Sequence, residues 1–119
     1  MQKILIIFNR SPYDNTDVTW NGLRLVGKLV ESLQEVRIFL MNDAVDMARE
    51  ACKPPSGYDQ DLASMLKDLI KKDVPVKVCG TCMARCGIYK NHSYFEGAEK
   101  STMTELSQWI VDCDKVLTF

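Results

Sequence analysis

Hydrophobic positions along this chain fall into short solid runs that alternate with stretches where they recur every three or four residues. The run Lys3-Ile4-Leu5-Ile6-Ile7-Phe8 is continuous and rich in β-branched residues, the mark of a strand covered on both faces. After the turn-rich stretch from Asn9 to Asn15, the residues Val18, Leu23, Val26, Val30 and Leu33 keep helical spacing and predict a first crossover helix through about residue 33. Val36 to Met41 repeats the strand signal. Asn42-Asp43 ends it, and Asp43 is expected to cap a short helix carrying Val45, Ala48 and Ala51.

The segment from Cys52 to Tyr58, with two prolines and a glycine, reads as loop. A second amphipathic helix follows on Leu62, Met65, Leu66, Leu69 and Ile70, and feeds a strand from Val74 to Val78 that ends at Cys79. Thr102-Met103-Thr104-Glu105 has the form of a capping box. It predicts a helix with Leu106, Trp109, Ile110 and Cys113 on one apolar face, followed by a last strand from Lys115 to Phe119. Strands alternating with helices argue for a parallel, doubly wound α/β sheet, because parallel neighbours need a connection of helix length. One domain over residues 1–119 is expected, without repeats or linkers.

Charge removes some function classes. Fifteen Lys and Arg stand against sixteen Asp and Glu, and no basic run is long enough to neutralise a series of phosphates, so no nucleic-acid partner is expected. The longest apolar run, Ile4 to Phe8, is far below the roughly 18 residues of a spanning helix, and Met1-Gln2-Lys3 leads into a strand, not a cleavable signal. No membrane contact is expected, and a cytoplasmic location is. Five cysteines in such a setting read as reactive thiols or metal ligands sooner than as a disulfide framework.

Three of those cysteines lie in Cys79-Gly80-Thr81-Cys82-Met83-Ala84-Arg85-Cys86, directly after a strand. In an open α/β sheet the loops that follow the strands share one edge, where such folds keep their chemistry. The loops Asn9 to Tyr13, Asn42-Asp43 and Cys79 to Cys82 are therefore expected to form one pocket. Cys79 is the expected nucleophile: a loop turning into a helix start offers N–H groups that favour a thiolate. Gly80 would allow close approach of backbone and substrate, Thr81 would cap, and Arg85 would add a cation one turn away.

Cys79 and Cys82 form a C-x-x-C, which fits a resolving thiol, a thioredoxin-like dithiol or two metal ligands. For a zinc site, Cys79, Cys82 and Cys86 would need a fourth ligand, for which His92 is the sole histidine. Asn9, Tyr13, Asn42 and Asp43 could orient a sulfur donor or polarise a thiol, and are equally the residues that turns and caps use. Pro54 to Tyr58 would form a rim. Cys113 is expected in the core, and Cys52 as a small buried hydrophobe.

The chain resembles the DsrE/DsrF-like sulfur-relay family, and within it the small homo-oligomeric YchN-like branch. The likeness spans nearly the whole length. It is carried by Met1 to Ile4, Pro12-Tyr13, Leu23-Arg24-Leu25, Phe39 to Val45, Val74 to Cys82 and Asp114 to Phe119. The resemblance implies a three-layer α/β sandwich on a mostly parallel five-stranded sheet, assembled as trimers or hexamers. It implies a relay cysteine at Cys79 that carries a persulfide between donor and acceptor proteins, with Cys82 matching the branch's second cysteine and no cofactor required. Cys86 departs from the pattern, which more often has a basic residue before Gly87; here Arg85 lies one place earlier. The function expected is thus a sulfur carrier or sulfurtransferase. The alternative is a non-catalytic oligomer that binds a metal or small ligand through Cys79, Cys82 and Cys86.

Overall fold

A computed structural model describes residues 1–85 and 93–119. Five strands, β1 (Lys3–Phe8), β2 (Glu35–Leu40), β3 (Val76–Cys79), β4 (Ala98–Ser101) and β5 (Lys115–Thr118), form one sheet. Its order is β4-β3-β2-β1-β5, and every pairing is parallel. Four helices connect them: α1 (Val18–Glu31), α2 (Leu62–Lys71), α3 (Gly80–Arg85) and α4 (Met103–Asp112), with a 3₁₀ segment, Asn42–Ala48, after β2. The fold class is α/β, as the alternation of runs and periodic stretches implied.

The path from β1 to β4 steps across the sheet in one direction and then returns past β1 to β5. Right-handed crossovers on such a path place α1 and α2 on one face and α4 on the other. Side-chain contacts agree. Phe8 packs toward α1, where a Cβ on Gly22 would stand 2.5 Å from the Phe8 ring. Phe39, with the opposite pleat, meets Trp109 of α4 edge-on at 6.5 Å. The sheet centre is fully buried, with Leu5, Ile6, Phe8, Ile38, Phe39, Leu40 and Val78 at 0% exposure, so both faces of β1 and β2 are apolar.

Several local expectations are corrected. Leu33 is not on the buried stripe of α1: the helix stops at Glu31, and Leu33 takes a left-handed φ of 63° with 79% exposure. Its N–H and that of Gln34 return to Val30 and Leu29, closing the helix end. Asp43 is not the cap, because the 3₁₀ segment begins at Asn42 with Met41 in the N-cap position, and Ala51 is exposed beyond its end. Ile110 is 41% exposed, and Cys113 is half-buried at the C-cap of α4, outside the fully buried core. Half of the capping box forms: Thr102 Oγ1 accepts from the Glu105 N–H at 3.2 Å, while the Glu105 carboxylate turns to Ser101 and Lys77. Strand β4, with the sequence Ala-Glu-Lys-Ser, has no apolar run and gives no strand signal.

Candidate functional site

Because all five strands run the same way, Phe8, Leu40, Cys79, Ser101 and Thr118 end at one edge of the sheet. β3 lies between β2 and β4 and ends in the sulfur of Cys79, 2% exposed. α3 starts at the next residue. Gly80 makes this tight turn possible: a Cβ there would stand 2.8 Å from Lys100 Cε and 3.2 Å from the Ser101 carbonyl oxygen. The close approach that Gly80 permits is thus to β4, where a substrate contact was expected. Thr81, inside the first turn of α3 and exposed, is not the cap.

Cys82 is 8% exposed on α3 and meets two groups. Its Sγ accepts the backbone N–H of Asn42 at 3.1 Å. Cys79 lies beside it, and this contact favours the protonated form of Cys82. Burial first, and then the Cys79 contact, push the Cys82 thiol up, while the Asn42 N–H and the charge of Arg85 pull it down. The Asn42 amide thus bonds to Cys82, which in turn neighbours Cys79. Beyond it, Arg85 Nη2 pairs with Asp43 Oδ1 at 2.9 Å, and both side chains are exposed. The Arg85 cation, expected one turn from the thiols, is paired with Asp43, and its charge still acts on Cys82.

The other expected pocket residues divide. The Tyr13 hydroxyl accepts from the Leu62 N–H and donates to the Gln60 carbonyl, both at 3.0 Å. Its ring meets Tyr58 edge-on at 5.0 Å, and the Tyr58 hydroxyl accepts the Asn15 N–H at 2.6 Å. Burial raises the Tyr13 phenol. These contacts fasten the loop after β1 to the segment before α2. They join Tyr13 to neither thiol. Asn9 is exposed, and its N–H donates to the Phe119 carbonyl at 2.9 Å, which fixes the chain end to the sheet edge.

Cys86 and His92 lie outside the described residues, as does any ligand set that includes them. Among the described residues no group of three or more His, Cys, Asp or Glu is placed to hold a metal ion. Cys52, Cys79, Cys82 and Cys113 are free thiols. Burial, reinforced by the charge of Asp46, pushes the Cys52 thiol up to about 11, so it is inert at neutral pH.

Two features escape the sequence. The Asn42 amide is a backbone donor, which no residue type announces. Ser101 stands opposite Cys79 in register on β4, buried, and donates to Glu105 Oε1 at 2.6 Å, while Lys77 Nζ holds Glu105 Oε2 at 3.2 Å. The one available signal was that Ser101 directly precedes the capping box.

Comparison with known proteins gives a consistent answer. The DsrE/DsrF-like family model matches residues 2–119. Protein YchN of Escherichia coli strain K12 is 42% identical over 121 residues, covering all of both chains. A protein of Methanocaldococcus jannaschii is 31% identical over 118 residues, covering 98% of this chain and 99% of its own. The crystal structure of the E. coli ychN protein superposes with a TM-score of 0.86 over the full length of both chains, at 42% identity. A protein of unknown function from Methanobacterium thermoautotrophicum shares the fold at a TM-score of 0.75 and 12% identity, again over both full lengths. With the family pattern matched from the second residue to the last, this chain belongs to the DsrE/DsrF-like family.

Proposed function

We propose that this protein is a sulfur carrier or sulfurtransferase that passes sulfur through a persulfide on Cys79. The observation that carries this reading is the paired arrangement of Cys79 at the end of β3 and Cys82 one turn away, neighbours at the strand edge. The Cys79 thiolate attacks the outer sulfur of a donor persulfide, the S–S bond breaks, and the donor leaves as a thiolate. Cys79–S–SH then yields its outer sulfur to an acceptor thiolate. Alternatively Cys82 attacks the inner sulfur, forming a Cys79–Cys82 disulfide and releasing HS⁻. Burial around Cys79 keeps bulk water from the carried sulfur. The step requires no cofactor; donor and acceptor are proteins, and the family resemblance supports a trimer or hexamer acting in the cytoplasm.

The test is intact mass after exposure to an inorganic polysulfide, before and after reductant. A gain of one sulfur mass, lost with reductant and absent in Cys79→Ser, is expected. Full loading of Cys79→Ser overturns the mechanism. A mass gain seen only under native conditions, and unaffected by reductant, would instead identify a metal held by Cys79, Cys82 and Cys86.

A further inference from the structure

Asn42 follows β2 by two residues and holds a left-handed backbone with φ of 53°. Its neighbours are pinned on either side: the Met41 N–H donates to the Phe8 carbonyl at 3.0 Å, and the Ala44 N–H returns to the Met41 carbonyl at 3.1 Å. The left-handed turn between these anchors sets the direction of the Asn42 amide, which points at Cys82 Sγ from 3.1 Å. Most L residues lose roughly 1–2 kcal/mol in this region, whereas asparagine tolerates it well. Asparagine can therefore hold the amide in this direction beside the thiol pair at little cost.

We infer that Asn42 is a positioning residue: its backbone N–H receives the negative charge of Cys82 when a Cys79–Cys82 disulfide is opened, so that an incoming dithiol attacks Cys79 and expels Cys82. The inference rests on the proposed sulfur-carrier function for the origin of that disulfide. There, Cys82 gives its proton to solvent and attacks the inner sulfur of Cys79–S–SH; the disulfide forms, and HS⁻ leaves with the electrons of the broken bond. Regeneration needs a dithiol reductant. One of its thiolates attacks Cys79 Sγ, the Cys79–Cys82 bond breaks, and its electron pair stays on Cys82. The second thiol of the reductant then displaces Cys79, so the reductant leaves oxidised and its two protons end on Cys79 and Cys82.

A thiol leaves faster the better its anion is stabilised, so the amide facing Cys82 makes it a better leaving group than burial alone would allow. Burial holds the Cys82 thiol up, and the Asn42 N–H and the charge of Arg85 are the groups that act against it in favour of the anion. Asp43, paired with Arg85, is the carboxylate on the same segment and moderates that second contribution.

The experiment oxidises the full-length protein with diamide and follows reduction of the disulfide by dithiothreitol in Asn42→Val and Asn42→Gly. A β-branched side chain resists positive φ and turns the amide away, whereas glycine keeps both the conformation and the N–H. Hydrogen bonds to charged groups are strong enough that Asn42→Val should slow reduction about tenfold, and Asn42→Gly should restore the rate. If the valine variant does not fold, Asn42→Ala takes its place, with a smaller expected slowing. Equal rates in the glycine variant and the branched or alanine variant overturn the inference, as does failure of Cys79 and Cys82 to form a disulfide. Sulfur loading of the unsubstituted protein is measured separately. Its absence would overturn the carrier function while the reduction rates still decide the role of Asn42.

Discussion

Arg85 on the last turn of α3 and Asp43 on the segment after β2 form an ion pair of 2.9 Å directly beside the bond between Cys82 and the Asn42 amide. Two contacts, one through the backbone and one through charges, thus fasten the same helix to the same turn. Because both partners are exposed, Asp43→Asn should cost less than about 1 kcal/mol of stability, measured by urea denaturation. It should also leave the Arg85 charge less compensated near the thiols. Labelling by iodoacetate should then rise relative to neutral iodoacetamide at low ionic strength, and high salt should remove the difference.

Cys52 gives an alkaline signature. Burial raises its thiol from an ordinary value of 9.0 to about 11, so the folded state holds a proton that the unfolded chain releases first. A raised folded value means that the contribution is fully present below about pH 9 and is lost as pH rises toward 11. Stability should fall over that window, and Cys52→Ala should flatten the fall, at some cost at neutral pH for the lost packing. Denaturation midpoints at pH 8 and 10.5 for the two proteins check this. At pH 8, alkylation should spare Cys52 until the protein is unfolded.

Gly80 is where β3 can turn into α3 against β4. Its missing Cβ leaves room for the aliphatic part of Lys100, which can shift, and for the Ser101 carbonyl, which belongs to a paired strand and cannot shift freely. Alanine is the better helix former, which offsets part of the clash. Gly80→Ala should therefore destabilise by only about 1 kcal/mol, yet displace the start of α3. Under the proposed function, sulfur loading at Cys79 should slow more than the stability loss accounts for.

What could be read from the sequence follows from how each element is stabilised. β1 and β2 are buried on both faces and show as solid apolar runs, and α2 shows as a clean stripe, so all three are legible. β4 is held by pairing to β3 and has only Ser101 buried, so composition cannot reveal it. Leu33 misled because an apolar residue at helical spacing lies just past the closing turn. At the site, the cysteine spacing foretold that Cys79 and Cys82 would meet. That Arg85 turns to Asp43, and Tyr13 to Gln60 and Leu62, depends on how loops from distant strands pack, which local pattern does not record.

The outer layer bears on assembly. On α4 and β5, Ile110, Val111, Val116 and Leu117 are 41%, 86%, 37% and 38% exposed, and β5 pairs on one side only, with β1. An apolar edge strand left in water is a liability that proteins cover or charge. If the chain forms the trimer or hexamer expected for its family, light scattering at micromolar concentration should give three or six chain masses. A monomeric mass would leave this surface without a cover and remove the support for a site shared between subunits.

Glu105 joins the helix cap to the strand beside Cys79, and its ionisation should be visible in stability. Its N–H is taken by Thr102, one carboxylate oxygen accepts the Ser101 hydroxyl at 2.6 Å, and the other faces Lys77 Nζ at 3.2 Å. The Ser101 bond first, and then Lys77, hold the carboxyl below its ordinary value of 4.5. A depressed folded value means that the stabilisation is present above the unfolded value and is lost as pH falls through the folded one. Glu105→Gln should thus be less stable than the unsubstituted protein at pH 7, with the gap narrowing as pH falls below the ordinary value of 4.5. Thr102→Ala should cost about 1 kcal/mol at pH 7 and at pH 3 alike, because the cap it removes does not titrate. Urea midpoints for the three proteins at the two pH values check this, and a gap for Glu105→Gln that persists unchanged at pH 3 would show that the carboxylate charge contributes nothing to the fold.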